Sequence, residues 1–166
     1  KNGKNMQDAN YKMMKTNKQL IGIDLFAGAG GLSLGAEMAG ISMRYAVEAD
    51  AYAAASYKRN FKNATVFCED IRKLSADKLN TQPVFIIMGG PPCQGFSLSN
   101  TKTRDMSNPN NRMFEEFLRF VDKIAPTWFV FENVYGLTKF KNGEENIQNH
   151  IENRFRDIGY TVKSKI

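Results

Sequence analysis

One cysteine lies in a segment whose composition favours chemistry over packing. Residues 89–97 read GGPPCQGFS and directly follow the apolar run VFIIM at 84–88. Such a run predicts a strand buried on both faces, and open α/β sheets bind ligands beyond the carboxyl ends of their strands. The glycines admit close approach of a ligand, and the prolines restrict the backbone. A structural cysteine would not require these neighbours, so Cys93 is a candidate nucleophile.

A second candidate site is a glycine-rich turn near the start of the chain. The apolar run 20–26 precedes AGAGG at 27–31, and a helix is expected from about 32 to 39, with Gly40 as its left-handed stop. Glu48 ends the next predicted strand. Strand, glycine turn, helix and acid form the plan of nucleotide-cofactor sites. Ser33 stands where the dinucleotide fingerprint has its third glycine, so a nicotinamide site is disfavoured.

Strands and helices alternate along the whole chain. Further strands are predicted at 43–48, 64–68, 84–88, 127–131 and 160–166, and helices at 50–60, 112–124 and 144–158. This alternation predicts an α/β fold with a doubly wound, mostly parallel sheet. Cys68 is expected in the core of the third strand. The polar stretch 96–111 is too long for a simple connector and is expected to be a mobile loop that closes over a substrate.

Composition and charge limit the function classes. The chain has 166 residues, 42% of them hydrophobic, and a net charge of +6, which suits one globular domain over residues 20–166. Residues 1–19 hold five lysines against one aspartate and are predicted to be a flexible basic leader. No segment is apolar over the roughly 20 residues of a membrane span. Two cysteines on separate elements suggest no disulfide framework and hence a cytoplasmic protein. The only histidine, His150, lies in the last predicted helix, so a Cys–His hydrolase has no obvious base.

Three segments together resemble the DNA (cytosine-5) methyltransferases. They are DLFAGAGG at 24–31, PPCQ at 91–94 and ENV at 132–134, and the resemblance extends over residues 20–166. It implies a Rossmann-like methyltransferase fold, S-adenosylmethionine as cofactor and double-stranded DNA as substrate. It further implies that Cys93 adds to C6 of a flipped cytosine while Glu132 hydrogen-bonds or protonates N3, and that no metal takes part.

The resemblance also implies roles for single residues. Phe26 would pack against the adenine, Glu48 would hold the ribose, and Asp70 with Ile71 would contact the edge and face of the adenine. The implied cofactor contacts are Phe26, Ala27, Gly28, Gly30, Gly31, Leu32, Glu48, Ala49, Asp70, Ile71, Pro92 and Met113. The implied DNA contacts from the loop are Gln94, Ser97, Ser99, Lys102 and Arg104.

Complete members of this family continue beyond the segments found here. They carry a target-recognition region and a C-terminal helix that closes the cofactor pocket. The resemblance therefore implies a split subunit or a fragment of a restriction-modification enzyme, inactive or weakly active without a complementing chain or C-terminal region. A tRNA cytosine-5 methyltransferase and a non-catalytic S-adenosylmethionine-binding module remain alternatives. Because a strand that would join the fifth and sixth strands is absent, residues from about Tyr160 are expected to be displaced or frayed.

Overall fold

A five-stranded parallel sheet forms the centre of the computed structural model, which describes residues 19–79, 83–92, 113–134, 141–142 and 145–165. Its strands are β1 (Leu20–Leu25), β2 (Ile41–Glu48), β3 (Thr65–Cys68), β4 (Ile86–Gly89) and β5 (Trp128–Phe131). They lie in the order β3-β2-β1-β4-β5, and every neighbouring pair is parallel. The doubly wound α/β fold predicted from the alternation of elements is confirmed.

Among the residues that the structure describes, four helices cover the two faces of the sheet. They are α1 (Gly31–Met38), α2 (Ala51–Asn60), α3 (Met113–Ile124) and α4 (Ile147–Asp157). Two short 3-10 helices, Ile71–Lys73 and Ala76–Leu79, follow β3. The two-residue strands β6 (Lys141–Asn142) and β7 (Glu145–Asn146) pair antiparallel before α4. Within the described ranges, no helix has the length and apolar character needed to cross a membrane.

Side chains on the two faces of β1 are buried in different parts of the protein interior, because successive side chains of a strand point in opposite directions. Ile23 and Leu25 are fully buried in the larger core with the aromatic side chains of α3 and α4. Asp24 points to the opposite face, where its carboxylate accepts a hydrogen bond from α1. All four residues of β4 are buried, as expected for a central strand of a parallel sheet.

The helix signals of the sequence have clear structural counterparts. Asp50 caps α2, since its carboxylate accepts a hydrogen bond from the Ala53 amide at 2.8 Å. Gly40, the predicted stop of α1, has a φ angle of 82°, and Gly159, which follows α4, has one of 94°. An apolar stripe of α3 is buried in the larger core: Met113, Phe117, Phe120, Val121 and Ile124.

Two predictions of the sequence were wrong. Residues 160–165 form no strand; instead the Tyr160 hydroxyl donates to the Pro126 carbonyl at 2.6 Å, and its ring lies edge-on to Phe129. These side-chain contacts anchor the start of the segment beside β5, so it is not frayed at Tyr160. The expectation that the segment is displaced from the sheet agrees with its lack of a strand. Cys68 is exposed, not core, because it is the last residue of β3, the edge strand. The predicted leader through residue 18 and the loop 96–111 lie outside the described residues.

Candidate functional site

The candidate site lies where the strand order reverses. β2 and β3 extend from one side of β1, whereas β4 and β5 extend from the other. Ligands of open α/β sheets bind at such a switch, beyond the carboxyl ends of the strands. A cleft of about 370 Å³ occupies this place. Its lining consists of Phe26, Val47, Glu48, Ala49, Glu69, Asp70, Ile71, Arg72, Gly90, Pro92 and Met113.

The structure divides the predicted cofactor contacts into two groups. Those that line the cleft are Phe26, Glu48, Ala49, Asp70, Ile71, Pro92 and Met113. Those in the glycine turn and at the start of α1, outside the cleft lining, are Ala27, Gly28, Gly30, Gly31 and Leu32. Glu48 connects the two groups, because its carboxylate accepts a hydrogen bond from the Gly28 amide at 2.7 Å.

Glu48 is held at the end of β2 by backbone amides on both sides. One carboxylate oxygen accepts from Gly28, and the other accepts from the Asp50 amide at 2.7 Å. An ionised carboxylate has about four acceptor positions, so two remain available for donors in the cleft. A ribose diol presents such donors. Glu48 therefore orders the glycine turn as well as facing the cleft, a structural role that the sequence did not predict.

Phe26 has an unusual backbone conformation. It directly follows β1 and has a φ of 61°, a region that bulky residues rarely adopt. Its half-buried side chain lines the cleft and packs against the larger core. Residues held in such conformations are concentrated at binding sites, and here the turn places an aromatic side chain in the same cleft as Glu48 and Asp70.

Asp70 follows β3 and is already engaged by a neighbouring arginine. Its carboxylate caps the first 3-10 helix through the Arg72 amide at 3.0 Å and accepts from Arg72 Nε at 2.9 and 3.0 Å. The side-chain hydrogen bond from Arg72 lowers the pKa of Asp70 to about 2. Asp70 is thus a fixed anion at the cleft. A ligand amino group bound there would share this carboxylate with Arg72. Arg72 was not among the site residues predicted from the sequence.

Gly89 and Gly90 lie in close packing at the ends of β1, β4 and β5. A Cβ on Gly89 would lie 2.1 Å from the Leu25 carbonyl oxygen, and one on Gly90 would lie 2.6 Å from Glu132 Oε2. Glycine is therefore required at position 89, where the obstacle is backbone, whereas a Cβ at position 90 would displace the Glu132 carboxylate. The Glu132 carboxylate lies directly against the backbone that leads to Cys93.

Asn133 ties the same two segments together. Its side-chain amide donates to the Pro91 carbonyl at 3.2 Å, and the Glu132 amide donates to the Gly89 carbonyl at 2.9 Å. The segments GGPP and ENV, recognised separately in the sequence, are therefore one bonded unit at the edge of the cleft. Cys93 follows this unit directly, but Cys93, Gln94, Ser97, Ser99, Lys102 and Arg104 lie outside the described residues.

Sequence reasoning missed three residues of the cleft lining: Val47, Glu69 and Arg72. Each adjoins a residue that was predicted, so proximity to the ends of β2 and β3 was the signal that could have found them. Among the described residues, no three His, Cys, Asp or Glu side chains are grouped so as to hold a metal ion. His150 lies in α4, edge-on to Phe114 with ring centroids 5.9 Å apart.

Comparison with known proteins relates this geometry to one family. The family model described as C-5 cytosine-specific DNA methylase matches residues 20–166. The chain is 43% identical over 143 residues to the type II methyltransferase M.DdeI of Desulfomicrobium norvegicum, covering 84% of this chain and 34% of that protein. It is 39% identical over 149 residues to M1.HphI of Haemophilus parahaemolyticus, covering 87% of this chain and 40% of that protein.

Solved structures share the fold. A crystal structure described as a DNA modification methyltransferase encoded within an E. coli prophage superimposes with a TM-score of 0.69 at 35% identity, covering 84% of this chain and 38% of that one. Thus the chain spans between a third and a half of the length of these relatives. With the family model matching from β1 through the last described residue, this chain belongs to the C-5 cytosine-specific DNA methylases.

Proposed function

We propose that this chain is the cofactor-binding and nucleophilic part of a type II DNA cytosine-5 methyltransferase in the cytoplasm. Together with the region that its relatives carry beyond the matched part, it would methylate cytosine in double-stranded DNA. The observation that carries this proposal is the bonded unit of Gly89, Gly90 and Pro91 with Glu132 and Asn133. It brings the carboxylate of one motif against the backbone that leads to the thiol of another, beside a cleft.

The donors and acceptors of the cleft suit S-adenosylmethionine. Phe26 offers an aromatic face, the Glu48 carboxylate accepts from hydroxyls, and the Asp70 carboxylate accepts from an amino group. These are the groups that an adenosine requires from its site. When bound, the cofactor supplies an electrophilic methyl group on a sulfonium. Glu48, Asp70 and Phe26 would orient it, and Gly90 and Pro92, which precede Cys93 in the chain, line the same cleft.

The Cys93 thiolate supplies the nucleophile that cytosine chemistry needs. C5 of cytosine is a poor nucleophile until the sulfur bonds to C6 and the ring electrons shift toward C5. Glu132 would donate a hydrogen bond or a proton from its carboxyl group to N3 and so stabilise the charge that develops in the ring. After C5 has been methylated, a base, a role that solvent water would fill, accepts the C5 proton. The electrons of that C–H bond re-form the C5–C6 double bond, and the sulfur leaves C6 as the Cys93 thiolate. A cytosine inside a duplex cannot reach the thiolate, so the base must be flipped out, as methyltransferases do.

Methyl transfer measured with radiolabelled cofactor tests the proposal. The chain is assayed alone and with the carboxyl-terminal region of a relative supplied as a second chain, on DNA and on tRNA. We expect label in DNA, loss of transfer in Cys93→Ser and loss of most transfer in Glu132→Gln. Cys68→Ser is the matched control, because Cys68 is exposed at the edge of the sheet.

Trapping on DNA that contains 5-fluorocytosine identifies the nucleophile directly. Wild type should form a stable covalent adduct, and Cys93→Ala should form none. An adduct in Cys93→Ala would refute the assignment of Cys93. Label in tRNA but not in DNA would show that tRNA is the substrate. Cofactor binding without transfer to either nucleic acid would favour a binding module.

A further inference from the structure

Three polar side chains from three elements form a buried chain beneath the glycine turn. Ser33 of α1 donates to Asp24 of β1 at 2.6 Å, and its hydroxyl lies 2.7 Å from the Tyr57 hydroxyl of α2. Asp24 is 1% exposed, and the other two side chains are fully buried. None of the three lines the cleft. The chain is therefore separate from the residues that would touch a ligand.

The direction of donation along this chain follows from the number of hydrogens. Serine has one hydroxyl hydrogen, and Ser33 gives it to the carboxylate of Asp24. Tyr57 must therefore donate to Ser33. Among the described residues, the second carboxylate oxygen of Asp24 has no hydrogen-bond partner. Burial raises the pKa of Asp24 to about 6 and also raises the pKa of Tyr57. Holding this chain in the protein interior thus costs stability.

The same helix that provides Tyr57 packs on the glycine turn. A Cβ on Gly30 would lie 2.2 Å from the Phe61 ring and 3.0 Å from the Tyr57 ring. Gly30 has a φ of 99° and is the N-terminal cap of α1, so Ser33 lies in the first turn that it starts. Tyr57 therefore makes two contacts, one through its ring with the glycine turn at Gly30 and one through its hydroxyl with Ser33 in the first helical turn of α1.

We propose that Tyr57 is a positioning residue for the cofactor, acting through Ser33 and Asp24 on the turn Gly28–Gly31. Apolar contacts alone permit sliding, whereas two short hydrogen bonds fix the distances between β1, α1 and α2. The turn in turn supplies the Gly28 amide that holds Glu48. The Tyr57 hydroxyl thereby determines where the ribose acceptor lies. This inference rests on the proposed function for its ligand, but the geometry of the turn can be measured without one.

Tyr57→Phe removes the hydroxyl and keeps the ring on Gly30. Tyr52→Phe is the matched control, because it makes the same change on the same helix at a side chain that is 87% exposed. Without ligand, the amide resonances of Gly28, Gly30 and Gly31 should shift in Tyr57→Phe and stay in place in Tyr52→Phe. Unmoved glycine resonances in Tyr57→Phe would overturn the proposal, whether or not the chain binds cofactor.

Calorimetry with S-adenosylhomocysteine gives the second readout. Tyr57→Phe should weaken binding about three- to tenfold, the equivalent of one lost hydrogen bond, whereas Tyr52→Phe should bind as wild type does. A merely stabilising role would lower the unfolding temperature of Tyr57→Phe and leave the affinity of the folded protein unchanged, which would contradict the proposal.

A double variant tests whether Ser33 and Tyr57 act on cofactor binding through one hydrogen-bonded chain or separately. Since Ser33 and Tyr57 act through one chain of bonds, Ser33→Ala with Tyr57→Phe should bind no more weakly than the weaker single variant. Additive losses of binding free energy would show that the two hydroxyls act separately and would overturn the proposal. If wild type does not bind S-adenosylhomocysteine, the proposed cofactor site fails, and the glycine resonances alone decide the positioning role.

Discussion

Replacing Asp24 by asparagine should change how the stability of the protein depends on pH. Asp24 is 1% exposed on β1, and burial is the main cause that raises its pKa from 3.8 to about 6. The Ser33 hydrogen bonds oppose this rise, and the charge of Glu48 adds to it. The folded protein therefore retains the Asp24 proton up to a higher pH than the unfolded chain does.

The sign and size of the effect follow from the two pKa values. The stability contributed by protonated Asp24 is fully present below about pH 4 and is lost as the pH rises through about 6. A shift of about two units corresponds to about 3 kcal/mol, of which about 2 kcal/mol is lost between pH 4 and 7. Asparagine does not titrate, so the stability of Asp24→Asn relative to wild type should rise by that amount over this range.

Urea unfolding at half-unit pH steps measures the difference. An effect of the asparagine that does not depend on pH leaves the slope of unfolding free energy against pH unchanged. All other titrating groups are common to both proteins. Asp157→Asn, at an exposed position of α4, is the control and should run parallel to wild type. If the difference between Asp24→Asn and wild type stayed constant from pH 4 to 7, burial of the Asp24 charge would not be costly and the reasoning would be wrong.

Two further substitutions test the glycine turn and the acid that it holds. Glu48→Ala should weaken S-adenosylmethionine binding in calorimetry by about 1–3 kcal/mol, the range for hydrogen bonds to a charged group; unchanged affinity would remove Glu48 from the cofactor site. Gly30→Ala should destabilise the fold by more than about 1 kcal/mol, because φ is 99° and the new Cβ meets Phe61. Gly35→Ala, in open space within α1, should instead stabilise by about 0.5–1 kcal/mol, and equal effects of the two substitutions would contradict the packing argument.

The order of elements and the ends of most helices followed from local sequence. Asp50 and Gly40 act within one turn of their own helices, so their effects are visible in a short stretch of chain. The apolar stripe of α3 is likewise a local pattern. The segment after Gly159 shows where this reasoning ends: its apolar residues predicted a strand, but tertiary contacts of Tyr160 decide its path. Cys68 was wrongly predicted to be buried for a similar reason. Whether a strand lies at the edge or in the centre of a sheet depends on the order of strands, which the strand's own sequence does not show.

By itself, the sequence determined the fold class, the family and the strand ends at which the site lies. These depend on the alternation of elements and on short motifs, each contained within a few residues. Tertiary structure alone decided that Glu132 lies against Gly90 and that Arg72 donates to the Asp70 carboxylate. It likewise decided that Glu48 accepts a hydrogen bond from the glycine turn. It also joined Asp24, Ser33 and Tyr57. The physical reason is that hydrogen bonds and close packing act over a few ångströms in space, and only the folded sheet brings side chains from separate elements within that range.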